Sequence, residues 1–195
     1  MFMGPTVILT GAPGVGKSSI ISRLEEQAAE EKTKLRVINF GTVMLKHLKP
    51  WAILQRDQIR GQGLAVQRRI QLEAAKEISR MRGDDVMVVD THMFIRTPTG
   101  ALPGLPESLL KELEPSLLIL IEADPKEIAR RRSGDSNRRR DQQTLQDVSG
   151  DLEWSRKTAA ACAVVAGVPV SMIRNERGQQ DEAARQILTM IKEVI

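Results

Sequence analysis

Eight residues near the amino terminus have the types and spacing of a phosphate cradle: Gly11-Ala12-Pro13-Gly14-Val15-Gly16-Lys17-Ser18. In the pattern G-x-x-x-x-G-K-[ST], glycines let successive backbone N–H groups turn inward, the lysine reaches the β- and γ-phosphates, and the hydroxyl is offered to Mg2+. Together with Ser19 next in the chain, these are the candidate ATP-binding residues. A second element, Val86-Met87-Val88-Val89-Asp90, is four apolar residues closing on a carboxylate. That is the form of a Walker B strand, which holds an aspartate near the magnesium. Alone it is a weak signal, since any buried strand can end in a polar residue; behind a P-loop it becomes the natural second half of one site. The arginines form the third group. Arg56 and Arg60 lie four apart, on one face of a helical turn. Six more fall between Arg130 and Arg140, and Arg96 stands in a proline-containing stretch after Asp90.

These residues need elements to position them. A buried strand, Thr6 to Thr10, is apolar without alternation, as suits a parallel strand covered on both faces. The helix behind the loop has Ile20, Ile21 and Leu24 on one side and Arg23, Glu25, Glu26 and Glu30 on the other. Its N-terminus aims at the same anion as the loop. Further strands are expected at Leu35 to Phe40, Val86 to Asp90, Leu117 to Ile121 and Val168 to Ile173. Between them fall a short helical piece from Val43 to Leu48, stopped by Pro50, and helices at about Leu64 to Arg82 and Gln142 to Ala166. A further helix, from Glu182 to Val194, closes the chain. Asp124-Pro125-Lys126-Glu127 reads as N-cap, proline at N1 and glutamate at N3 of another. The stretch from Thr91 to Pro106, with His92 and three prolines, is expected to be irregular, and as a loop leaving the carboxyl end of a parallel strand it faces the ligand crevice. Alternating strands and helices behind a P-loop give an α/β fold with a doubly wound parallel sheet.

Composition narrows the function. A chain of 195 residues suffices for one α/β domain with a proper core. No apolar run approaches the ~20 residues of a membrane span, and the first residues lack the pattern of a secretory signal, so a cytoplasmic protein without membrane partners is expected. One cysteine, Cys162, excludes an internal disulfide and any CxxC-type zinc site. The net charge of +4 could suggest nucleic acid, but the excess is local and aromatic residues amount to 3%, with no tyrosine to stack bases upon. An arginine cluster facing a bound triphosphate accounts for the same charge; a solvated charge run is the alternative. His92 could serve as a base or as a structural imidazole. Transfer between phosphates needs no base, because the acceptor oxygen is already ionised, and this favours the structural role.

The stretches Gly11 to Ser18, Asn39-Phe40-Gly41-Thr42-Val43-Met44, Arg56-Asp57-Gln58-Ile59-Arg60 and Val89-Asp90-Thr91-His92 occur in one chain in this order. With Ile95-Arg96-Thr97-Pro98 through Leu102-Pro103-Gly104-Leu105-Pro106 and the Arg138/Arg140 pair, they make the chain closely similar, over nearly its whole length, to the archaeal-type adenylate kinases. These are a branch of the nucleoside monophosphate kinases with the P-loop NTPase fold. The match is looser around Trp51. The resemblance implies transfer of the γ-phosphoryl of Mg-ATP to AMP, giving two ADP, on a five-stranded parallel sheet flanked by helices. It also implies a monophosphate-binding insertion at about 41–70, a short lid at about 133–141 and assembly as a trimer. Carried onto this chain, it makes Lys17, Arg131, Arg138 and Arg140 catalytic, and Thr42, Arg56, Arg60 and Arg96 AMP-binding. Ser18 and Asp90 would hold Mg2+, directly or through water. Two alternatives stand beside it: a kinase for another nucleoside monophosphate, and an ATP-driven switch associated with RNA. Two arginine sets on opposite sides of the P-loop speak against a switch, which has a single nucleotide to hold. No N-K-x-D stretch suggests a GTPase.

Overall fold

The computed structural model describes residues 3–48, 62–97, 100–133 and 144–195. At its centre, β1 (Thr6–Gly11) is buried along its whole length and leads through the glycine-rich loop into α1 (Lys17–Glu30). The chain then forms β2 (Leu35–Asn39), α2 (Phe40–Leu48), α3 (Leu64–Arg80) and β3 (Val86–Asp90). A pair of short strands follows, β4 (Phe94–Thr97) and β5 (Gly100–Pro103), then α4 (Glu107–Leu113) and β6 (Pro115–Glu122). The remainder is α5 (Pro125–Ser133), α6 (Leu145–Ala166), β7 (Val170–Arg174) and α7 (Gln180–Glu193).

Five strands pair in the order β2-β3-β1-β6-β7, all parallel. Because the chain leaves β1 toward β2 and β3 on one side and toward β6 and β7 on the other, the order reverses beside β1. In an open α/β sheet the crevice outside the carboxyl ends at such a switch point is where ligands bind. The register sets the functional groups there: Leu9 pairs with Asp90, and Asn39 with Asp90, so that Asp90 lies between the end of β2 and the end of β1.

Strand side chains alternate between two cores, although both faces are apolar. Ile8, Val89, Leu118 and Leu120 pack with α2, α3, α4 and the second half of α6. Val7, Leu9, Val88, Ile119 and Ile121 pack with α1 and α7. Cys162 is buried in the first of these cores, where burial pushes its thiol pKa up, so it behaves as a small hydrophobe. Among the described residues no helix is long and apolar enough to cross a membrane.

The stretch after Asp90 differs from expectation. Instead of an irregular loop, β4 and β5 form an antiparallel ribbon in which Arg96 pairs with Ala101 and Thr97 with Gly100. Prolines obstruct a strand only where an N–H is required by a neighbour. Here Pro103 ends a two-stranded ribbon opposite Phe94, at the margin of the pairing. Helix α4, which the sequence reading passes over, is seven residues long and buries Leu109, Leu110 and Leu113. A run this short shows barely two turns of periodicity. Helix α2 begins at Phe40, earlier than Val43, because the Asn39 side chain caps it: Oδ1 accepts from the Thr42 N–H at 3.0 Å and from its hydroxyl at 3.1 Å. Asp124 caps α5 as expected, accepting from the Lys126 N–H at 2.8 Å. Thr144 and Asp147 form a capping box at the start of α6.

Gly104 fastens the ribbon beneath the site. Its N–H donates to the Met93 carbonyl at 2.8 Å, and a Cβ placed there would lie 1.8 Å from the carbonyl oxygen of His92. Only glycine permits that approach. Gly104→Ala is therefore expected to destabilise the protein by about 1–3 kcal/mol, the range for overpacking. Gly83→Ala, where an added Cβ meets nothing within 4 Å, is expected to be near neutral. Urea unfolding of both variants checks this, and equal midpoints would rule out the close approach.

Candidate active site

The loop after β1 turns on two glycines with left-handed backbone, Gly14 and Gly16, both at φ 91°. A side chain at Gly16 is also excluded by space, since its Cβ would fall 2.4 Å from the Asn175 amide nitrogen. On the outer side, the loop carbonyls are held by other elements. Arg132 on α5 donates Nε and Nη2 to Pro13 O at 2.9 and 2.7 Å. Val15 O accepts from Arg131 Nη1 at 3.0 Å and from Asn175 Nδ2 at 2.8 Å. The carbonyls of Pro13 and Val15 are thus taken up by side chains, and the glycine-rich sequence is that of an anion-binding nest. The N-terminus of α1 adds its dipole there.

Lys17 sits at the mouth of this loop and is buried. Its ammonium donates to Gly11 O at 3.1 Å, stands 3.2 Å from His92 Nδ1 and lies 3.8 Å from Asp90 Oδ1. As a lysine ammonium offers only protons, Nδ1 in this contact is the acceptor nitrogen of the ring. His92 Nδ1 also lies 3.2 Å from Gly11 O. Asp90 is oriented by Asn39, whose Nδ2 donates to Oδ2 at 2.6 Å, while Oδ1 is buried without a hydrogen-bond partner. A buried carboxylate oxygen in that condition calls for a cation. Together with the exposed Ser18 at the first turn of α1, it supplies hard oxygen donors of the kind magnesium takes. Among the described residues there is no cluster of three or more His, Cys, Asp or Glu side chains able to cage a metal. The set therefore fits an ion held by one carboxylate, a hydroxyl and substrate phosphates rather than a resident metal.

Of the residues assigned to AMP, Thr42 is joined through Asn39 to Asp90, on the β2 side of the crevice. Arg96 projects from β4 and pairs with Asp151 of α6, its Nε donating to Oδ1 at 2.8 Å. Arg56, Arg60, Arg138 and Arg140 lie outside the described residues, as do most of the residues of the expected lid. Arg131, which the resemblance makes catalytic, has its guanidinium on the carbonyl side of the P-loop, between Glu127 and Val15. The structure thus gathers Lys17, Asp90 and His92 into one cluster and sets Arg131 behind the loop.

Sequence reasoning missed five residues that build the site. Asn39 was within a recognised stretch, but no role followed from it. Arg132 was one of a run of three. Glu127 was read only as part of a helix start, whereas its carboxylate binds Arg130 at 2.8 and 2.7 Å and Arg131 at 2.8 Å. Asn175 and Asp151 carry no sequence signal, because their partners are far along the chain.

The hydrogen bond from Arg130, then that from Arg131, hold the Glu127 carboxyl at a pKa of about 2 against an ordinary value of 4.5. A depressed carboxylate contributes its stabilisation in full above the ordinary range and loses it as pH falls through about 2. An NMR titration of the Glu127 side chain is expected to give a midpoint well below 4.5. A midpoint at the ordinary value would mean that this carboxylate does not hold Arg131 against the loop.

A family model described as an AAA domain matches residues 10–149. The chain is 36% identical over 191 residues to the adenylate kinase of Methanoculleus marisnigri, covering 97% of this chain and 100% of that one. It is 40% identical over 185 residues to the adenylate kinase of Thermoplasma acidophilum, covering 94% and 97%. Among solved structures, a shikimate kinase from Acinetobacter baumannii in complex with shikimate superposes with a TM-score of 0.59 at 15% identity, covering 97% of this chain and 94% of that one. At that identity the superposition speaks for the fold alone, a P-loop kinase fold. Full-length identity at these levels, on a sheet that brings the P-loop lysine and the β3 aspartate together, means that the chain belongs to the adenylate kinase family of P-loop phosphotransferases.

Proposed function

We propose that this protein transfers the γ-phosphoryl group of Mg-ATP to AMP, reversibly, giving two ADP. The observation that carries this reading is the cation arrangement. Lys17 stands at the P-loop mouth, and Arg96, on a separate ribbon, is held by Asp151, which also lies 3.7 Å from the arginine that braces the loop. Two anionic nucleotides brought together need such charge on both sides.

The transferred group passes through a loose transition state, so the protein's work is positioning and charge neutralisation. The loop from Gly11 to Ser19 cradles the ATP phosphates, and Lys17 follows the migrating group. Its contacts with Gly11 O and His92 Nδ1 hold the ammonium near the crevice before substrate arrives. His92 acts on Lys17 and not as a base, because the AMP phosphate oxygen is already ionised. Ser18 and Asp90 would hold Mg2+, which when bound neutralises charge on the β- and γ-phosphates. Arg56, Arg60 and Arg96 grip the AMP phosphate, with Thr42 near its base or ribose. The lid at 133–141, with Arg138 and Arg140, closes over the phosphates and excludes water, which keeps a kinase from acting as an ATPase. Arg131, catalytic by the family resemblance, also supports the cradle through Val15 O. The insertion at 41–70 forms the AMP side. A cytoplasmic location agrees with a single buried cysteine and a nucleotide substrate pair.

ADP is expected to appear when protein, ATP, Mg2+ and AMP are mixed, and not when AMP is omitted. Hydrolysis of ATP without AMP would favour a switch instead. A panel of monophosphates distinguishes AMP from other acceptors, since the phosphate-gripping residues are indifferent to the base. Lys17→Met is expected to lower turnover by about 10²-fold or more, the cost of losing one transition-state donor, and Arg138→Ala by a similar factor with little change in stability. A fully active Lys17→Met enzyme would contradict the cradle; normal turnover in Arg138→Ala would remove Arg138 from the site.

A further inference from the structure

Asp151 has no place in the mechanism above, yet its carboxylate is among the most buried charges in the described structure. Its side chain is 5% exposed, on a helix whose neighbouring positions Val148 and Leu152 are core. Removing a carboxylate from water is costly unless it is paired and hydrogen-bonded, so its partners identify its use. Oδ1 accepts both Nε and Nη2 of Arg96, the former at 2.8 Å. Oδ2 faces Nη1 of Arg132 at 3.7 Å. Arg132 in turn holds Pro13 O of the P-loop with its other two nitrogens. One carboxylate from α6 thus stands between the arginine of the β4 ribbon and the arginine that braces the ATP loop.

We infer that Asp151 is a positioning residue that links the two nucleotide sites: it aims Arg96 at the AMP phosphate and steadies Arg132 against the P-loop. This rests on the functional reading given above. Arg96 is 57% exposed and comes from a two-stranded ribbon, so without an anchor its guanidinium would sample many directions. Donation of both Nε and Nη2 to the one oxygen ties that edge of the guanidinium to α6. Because both arginines share the anchor, ordering Arg96 by the AMP phosphate orders the carboxylate and thereby Arg132 and the loop it braces. The second nucleotide then has less freedom to remove, and each nucleotide tightens the other.

Asp151→Asn tests this, since a counter-ion and a positioning group predict opposite signs. If Asp151 only balanced charge, its loss would leave the crevice more positive and AMP would bind more tightly. As a positioning residue, its loss is expected to raise the AMP KM about tenfold, as for a lost charge-assisted hydrogen bond. Calorimetry adds a second readout, the affinity for AMP with and without a non-hydrolysable ATP analogue. The wild type is expected to bind AMP about fivefold or more tightly with the analogue present, and Asp151→Asn about equally in both conditions. An AMP KM that is unchanged or lower, a coupling ratio that survives the substitution, or a wild type without coupling overturns the inference. Should Asp151→Asn fail to fold, Arg132→Lys decides, because one ammonium is too compact to bridge Asp151 and Pro13 O as the fork does. It is expected to lose the coupling, and a retained coupling overturns the inference. A wild type that makes no ADP from ATP and AMP defeats the functional reading itself, and is thereby distinct from a working wild type whose variants keep their coupling.

Discussion

A loop that offers its amides to phosphates must satisfy its carbonyls elsewhere, and much of the structure around β1 follows from that requirement. The carbonyls of Pro13 and Val15 turn away from the cradle, where Arg132, Arg131 and Asn175 take them up. Two of these donors come from α5 and the third from the end of β7. The strand order β1-β6-β7 is what brings those ends beside the loop. Glu127 then holds Arg131 from the other side, and the Arg132 guanidinium faces Asp151. The run of arginines, which by composition alone could be a nucleic-acid patch, serves in part as backbone support.

On the opposite side of β1 the constraint is charge. Lys17 and Asp90 are both largely withdrawn from water, so their polar atoms need partners. Their separation of 3.8 Å is too long for a hydrogen bond, and each has a better partner: Gly11 O for the lysine, the Asn39 amide for the aspartate. Asp90 Oδ1 is left lacking a hydrogen bond. That leaves one carboxylate oxygen open to a cation. A carboxylate locked to its lysine would have to be released before the substrate could bind.

Much of the fold was legible in the residues. Uninterrupted apolar runs such as Val7-Ile8-Leu9 mark strands buried on both faces, and Asp124-Pro125 marks a helix start with its mechanism. The failures fell where local signals are thin. Prolines make the β4–β5 segment look irregular because they oppose strands in general, though not at the margin of a two-stranded pairing. Helix α4 is too short for its period to stand out, and the start of α2 is set by a cap from Asn39, whose amide nitrogen also reaches Asp90.

By itself the sequence determined the chemistry on offer: a phosphate cradle, a strand ending in a carboxylate and two sets of arginines. Each of these is encoded within a few consecutive residues by backbone freedom, periodicity or side-chain type. Tertiary structure alone decided which arginine does what. Arg131 and Arg132 became braces of the loop, and Arg96 acquired a buried anchor, because Asn175 and Asp151 reach them across 44 and 55 residues of chain respectively. Contacts of that range arise from the winding of the sheet, and no local pattern of residues records them.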